Sequence, residues 1–432
     1  LTETTERLST EEVARRLGVK RETVYAYVSR GLLERHPASG PHHSEFDPEE
    51  VERLAERARR PDRSSALEVV VETELTLLEP EGRLSYRGRD AIELAKFRSF
   101  EEVVALLWDG APPTPWGLDA ERTAAIGALD EALGAEAPAA ERIAAVVATL
   151  AARDPKRDDR DPDAVRRVGT EVFAGILAAL SRGRPLARTP DRGRLKARHP
   201  GQGSTAPRGP GQGSTAVGRS GRSGDNGRIA AELWVALAEG DAKPRPEQVA
   251  ALNAALVLLA DHELAASTFA ARVAASAWAG PYRVILAGLG PLGGALHGGA
   301  GTAVEELLEE VAAGTDPGAA IDARIATGEV PGFGHRVYRD RDPRADHLLE
   351  RLDLPAAQDL LAAAAERGLP APNVDFALAA LVKAHGLRAG ASPTIFTVAR
   401  IAGIVAHALE EYEYRLRFRP RASYVGPTPP AG

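Results

Sequence analysis

Apolar positions recur at helical spacing along most of the chain, and the first such run is LSTEEVARRLGV, with Ser9 or Thr10 as N-cap and Gly18 as a turn. KRETVYAYVSRGLL predicts a second helix and SEFDPEEVERLAERAR a third, so residues from Leu8 to about Arg60 read as a helix-turn-helix unit of their own. From Leu67 the pattern changes: LEVVVETELTLLE alternates and predicts one or two strands ending at Pro80-Glu81-Gly82. Beyond SYRGRD the chain is helical, with helices from about Ser99, Pro115, Ala139 and Pro162, DPKRDDRDP being the clearest break. Helices resume at Ile229, run through Pro246 to Ala260 into DHELAASTFAARVAASAWAG, and follow from Gly301, Pro317, Pro343 and Ala356 and from Pro393 to Glu411. No period of solenoid length repeats.

Between about Thr189 and Gly227 the helical pattern stops. That stretch is rich in Gly, Ser, Pro and Arg, repeats GQGSTA at Gly201 and Gly211, and has almost no large apolar residue, so it is expected to be disordered and basic. It serves as a linker or as an arm for nucleic acid or an acidic partner. The 432 residues suffice for two or three domains. With no cysteine, disulfides, thiolate metal sites and a cysteine nucleophile are excluded. Methionine is absent too, and Leu1 is read as the literal translation of a non-standard start codon. No apolar run approaches 18 residues and the N-terminus is polar and acidic, so no membrane span or signal peptide is expected and the location is read as cytoplasmic. The net charge of −7 argues against general nucleic-acid affinity, although the basic residues of the first unit cluster on its second helix. His42 and His43 have no third ligand nearby, and no metal site is expected.

The candidate chemistry lies in four stretches. Pro331 to Arg344, PGFGHRVYRDRDPR, sets His335 after Gly332 and Gly334 and follows it with Arg336, Arg339, Arg341 and Arg344, guanidinium forks suited to carboxylates or phosphates. LHGGAG places His297 ahead of a helix, PNVDF places Asp375 between apolar residues, and HELAASTFAARV begins at His262. Singly, each has a plain structural reading. The arginines make a solvated charge run, His262 a satisfied interior histidine, Asp375 a cap for a helix beginning at Phe376, and Arg400 a helix-end ion pair.

In this order the four stretches resemble the citrate synthase family, and the resemblance runs from about Leu67 to Gly426, taking in SYRGRDAIELAKFRSFEEVVALLWDG and FTVARIAGIVAHALEEYEYRLRFRPRASYVG. Residues 8–60 resemble the helix-turn-helix of the MerR family, which implies Lys20, Arg21, Thr23, Tyr25, Tyr27 and Arg30 facing DNA. The resemblance implies a mostly α fold: a winged helix-turn-helix domain at 1–63, a large synthase domain at 67–298 interrupted by 189–227, a small domain at 299–386, and a return to the large domain at 387–432. It implies condensation of acetyl-CoA with oxaloacetate, with Asp375 as base, His297 donating to the thioester oxygen as a neutral imidazole under the following helix, and His335 donating to the oxaloacetate carbonyl. Arg344, Arg400 and Arg419 would hold the carboxylates with His262, Arg419 coming from the second subunit of a homodimer, and Arg339 would meet the CoA phosphates. No cofactor is implied, acetyl-CoA being a substrate. Ala265, Gly301-Thr302 and Ala377-Leu378-Ala379 depart from the family pattern in the cleft, which leaves room for propionyl-CoA and 2-methylcitrate. The rival is a DNA-binding regulator that senses oxaloacetate or a CoA thioester.

Overall fold

The computed structural model describes residues 70–420 except 111–115, 135–136, 182–226, 241–242, 295–296, 298–299 and 328–329, and ahead of these 7–17, 24, 33, 36–37, 44–48 and 50–51. The described residues are mostly helical, and the chain divides into two units, Leu1–Glu72 and Thr73–Gly432.

In the first unit strand β1 (Leu8–Ser9) leads into helix α1 (Thr10–Leu17). Ser9, not Thr10, is the cap: its N–H and hydroxyl both donate to the Glu12 carboxylate, at 2.9 and 2.8 Å. Strands β2 (His36–Pro37) and β3 (Ser44–Phe46) complete a small antiparallel sheet in the order β1-β3-β2. Val13, Val24, Leu33, Phe46 and Val51 form its core. Lys20, Arg21, Thr23, Tyr25, Tyr27, Arg30, His42 and His43 lie outside the described residues.

The second unit opens with an antiparallel meander of β4 (Thr76–Glu79), β5 (Arg83–Tyr86) and β6 (Arg89–Asp90). Among the described residues pairing starts at Thr76, because Glu74 donates its N–H to the Glu410 carboxylate (2.8 Å) and not to a neighbouring strand; Leu67 to Val69, where the alternation begins, lie outside them. Helices α2 (Ala91–Phe97), α3 (Phe100–Leu107), α4 (Ala120–Leu133), α5 (Ala139–Arg153) and α6 (Pro162–Leu180) follow. The helix expected from Pro115 begins at Ala120, where Asp119 accepts the Arg122 N–H (2.8 Å). The insertion lies outside the described residues up to Gly227, which opens α7 (Arg228–Leu237).

Next come α8 (Pro246–Leu259), α9 (Ala266–Ser276), α10 (Pro281–Leu292), α11 (Ala300–Ala312), α12 (Pro317–Thr327), α13 (Pro343–Leu349), α14 (Pro355–Glu366), α15 (Val374–Ala384) and α16 (Ala391–Tyr414). Proline in the first turn of six of these costs no hydrogen bond, since those N–H groups have no helical partner. Helix α16 is long and apolar enough to cross a membrane, with mean hydropathy 1.3, although no such run was expected; 89% of that window is buried inside the protein. It is the axis of the main apolar cluster, packed by α3, α5, α6, α8, α9 and α10. A second cluster joins α11, α12, α14 and α15 through Val304, Leu308, Ile321, Leu360 and Phe376. The candidate site residues lie on segments belonging to both.

Candidate active site

His335 and Asp375 are carried by segments that are tied together. The Asn373 N–H donates to Gly332 O (2.9 Å), the Gly334 N–H to Ala371 O (2.8 Å), and Asn373 Nδ2 to Gly334 O (2.9 Å). Gly332 and Gly334 adopt φ of 87° and 76°, and a Cβ on Gly332 would stand 2.9 Å from Val304, so this turn requires glycine. The cap of α15 is Asn373, whose Oδ1 accepts from Asp375 and Phe376 N–H. Asp375 therefore sits inside the first turn, and its carboxylate is not consumed in capping. Burial pushes that carboxyl up to about 6, with Asp342 adding to the rise against the opposing fields of Arg344 and Arg400.

Two backbone N–H groups, of Val337 and Tyr338, converge on His335 Nδ1 at 3.0 and 3.1 Å. The neutral ring then carries its proton on Nε2. Burial, reinforced by Arg344, brings His335 down to about 4, so the ring is neutral at pH 7. Arg344 Nη2 stands 3.3 Å from Nε2; two N–H groups this close are suited to sharing an anionic acceptor. Arg344 is buried and held by Asp342 through Nε (2.9 Å) and Nη2 (2.8 Å), and Asp342 also accepts the Val374 N–H (3.0 Å). One buried carboxylate thus joins the arginine to the helix that bears Asp375.

His297 lies three residues before α11, and its Nε2 is 2.9 Å from Ser267 Oγ. Accepting the serine proton there leaves Nδ1 as the donor. Burial first and Arg400 second bring His297 down to about 4, a different leading cause from the helix terminus expected above. Arg400 is buried in the middle of α16, not at a helix end. Its Nε donates to Leu259 O (3.0 Å), while Nη1 is buried without a protein partner. Phe396 links the two, its ring 5.0 Å from the guanidinium carbon and 5.7 Å from the His297 ring. His262 packs edge-on against His335 at 5.3 Å; burial, then Arg344, Arg400, His335 and His297, holds it well below its usual range, and its Nε2 has no protein partner.

The arginine run divides. Arg344 alone is buried, whereas Arg336 and Arg339 are exposed and Arg341 is paired with Asp346 (2.6 Å). Arg339 is placed by its N–H on Pro80 O (3.0 Å), its side chain about 4.0 Å from Glu81. Arg419 is exposed on the coil after α16. Ser267, Asp342 and Asn373 were not singled out from the sequence, although each lies inside or beside a quoted motif; their signal is the interval of a few residues to His262, Arg344 and Asp375. The Gly301 departure has a packing reason: a Cβ there would meet Ser392 Oγ at 2.8 Å, where Glu305 ties the start of α16.

A fold of packed helices with two neutral histidines, a raised aspartate and two buried arginines in one place defines an enzyme site for anionic substrates. Residues 66–421 match the family model described as citrate synthase, C-terminal domain, and 7–59 match a helix-turn-helix domain. The chain is 32% identical over 384 residues to citrate synthase 2 of Bacillus subtilis, covering 80% of this chain and 90% of that one. It is 32% identical to citrate synthase of Haloferax volcanii (83% and 94% covered) and 28% identical to 2-methylcitrate synthase of Mycobacterium tuberculosis (85% and 91%). Among solved structures it resembles the Thermoplasma acidophilum citrate synthase in ternary complex with carboxymethyl coenzyme A and oxaloacetate, at TM-score 0.62 and 26% identity, over 84% of this chain and 95% of that one. The chain belongs to the citrate synthase family and is an enzyme of that type.

Proposed function

We propose that this enzyme condenses an acyl-CoA thioester with oxaloacetate and hydrolyses the product thioester, acetyl-CoA giving citrate. Asp375, ionised at neutral pH yet more basic than an ordinary aspartate, removes the α-proton of the acyl group. His297 donates from Nδ1 to the thioester oxygen, and His335 from Nε2 to the ketone of oxaloacetate. Arg344, Arg400 and His262 take the two carboxylates, Arg419 of a second copy completes the pocket in a homodimer, and Arg339 meets the CoA phosphates. Movement of the segments bearing His335 and Asp375 against those bearing His297 and Arg400 would exclude water during condensation. The chemistry calls on no metal or redox cofactor.

The observation that carries this reading is the pair of buried polar atoms without protein partners, Arg400 Nη1 and His262 Nε2, beside a neutral His335 and the raised Asp375. Buried polar atoms without partners are costly unless a ligand supplies them. The test is mass spectrometry of products from oxaloacetate with acetyl-CoA or propionyl-CoA. Citrate in excess supports the reading. Preferential 2-methylcitrate moves it to propionyl-CoA, the alternative favoured by the Mycobacterium tuberculosis relative, and neither product would refute it. The helix-turn-helix match supports a second role, DNA contact by Lys20, Arg21, Thr23 and Tyr25; retention of the full chain on duplex DNA at low salt, lost at high salt, is the expected result.

A further inference from the structure

Next to the proposed oxaloacetate pocket lies a fully buried carboxylate that the chemistry above does not use. Asp261 precedes His262 in the turn after α8. Its Oδ2 accepts from Thr76 Oγ1 of β4 (2.5 Å) and from the Glu263 N–H (3.1 Å), and lies 3.3 Å from His407 Nε2 of α16. The Tyr86 hydroxyl of β5 donates to its carbonyl (3.1 Å). Three separate elements therefore converge on one residue of a turn. That turn is unusual, for Glu263 holds φ of 56° without being glycine, a conformation that needs support from its surroundings.

The same turn places two of the pocket groups with atoms that lack protein partners, His262 and Arg400. It orients His262 directly, and its preceding carbonyl, Leu259 O, holds Arg400 Nε. Gly403, one turn beyond Arg400 on α16, donates its N–H to Ala260 O (2.9 Å), and a Cβ there would run into Asp261 Oδ1. Burial alone would raise Asp261, but His407, Arg400 and Thr76 outweigh it and keep the group ionised. It faces Arg400 without a hydrogen bond to it, which leaves the guanidinium available to a substrate. Behind His407 stands Arg272 at 3.2 Å, itself paired with Glu411 (3.0 Å) and Glu410.

Resting on the function proposed above, we infer that Asp261 is a positioning residue for oxaloacetate: its carboxylate locks the turn that aims His262 and Arg400 at the substrate carboxylates. Thr76, Glu263 and His407 all converge on Oδ2 while Oδ1 has no protein partner, so an asparagine with its oxygen in that place keeps all three contacts, whereas truncation to alanine removes them.

The test is calorimetric titration of the full chain with oxaloacetate, together with steady-state KM for each substrate. For Asp261→Ala we expect oxaloacetate binding weaker by about tenfold or more, with KM for the acyl-CoA within about twofold of wild type. Thr76→Val, which removes one donor and keeps the shape, should weaken oxaloacetate by roughly two- to fivefold and guards against a misfolded Asp261 variant. Removing a negative charge near Arg400 would by itself strengthen dianion binding. Equal or tighter binding by both variants would therefore overturn the inference, as would an equal rise in both KM values. Wild-type protein that binds no oxaloacetate would instead refute the proposed function, and this inference with it.

Discussion

Asp375 shows what a residue's surroundings add to its identity. Because burial pushes it up to about 6, kcat/KM should fall about tenfold per pH unit below that value and level off above it, which a pH–rate profile will read directly. An acid limb nearer pH 4 would contradict the assignment. The buried histidines act on stability with the opposite sign of shift. His297 and His335 lie near 4 when folded against 6.5 when unfolded, so the unfolded chain gains protons first as pH drops. Stability is fully present above about 6.5 and is lost progressively toward 4; urea midpoints across that range should fall. Asp342→Ala would leave Arg344 buried without its carboxylate and should cost about 3–5 kcal/mol in chemical denaturation. His262, His297, His335 and Asp375 were legible as a set in the sequence. Asp342 was not, because its value comes from reaching Arg344 and the Val374 N–H together, a relation across 32 residues that no local pattern encodes.

Most helices were legible because their capping residues and first-turn prolines are local signals, as at Ser99, Pro162, Pro246 and Pro343. In the described part of the alternating stretch from Leu67 pairing begins at Thr76, because alternation says nothing of Glu410, more than 330 residues away, which takes the Glu74 N–H. Pro393 marked α16 too late; the helix starts at Ala391, since proline is tolerated anywhere in a first turn. Asn373 is the element-scale device of the site, capping α15 while holding Gly334 O. Asn373→Ala should lower stability by about 1 kcal/mol for the lost cap. It should also reduce kcat more than KM for acyl-CoA, because the His335 turn loses its tie to the base; an unchanged kcat would show that the cap serves stability alone.

At the scale of the whole molecule, the separate first unit and the family match beginning at residue 66 argue that the proposed condensation belongs to the second unit. The relative placement of distant motifs was readable only through the family resemblance; composition and periodicity alone pointed to packed helices and no further. The most direct measurement is release of free CoA thiol from acetyl-CoA and oxaloacetate by the full chain and by Asp375→Asn, followed with a thiol reagent to which a protein without cysteine is silent. The account predicts release that requires both substrates and drops by about 10²- to 10⁴-fold in the variant. No release from the folded wild-type protein, or equal release from both, would contradict it.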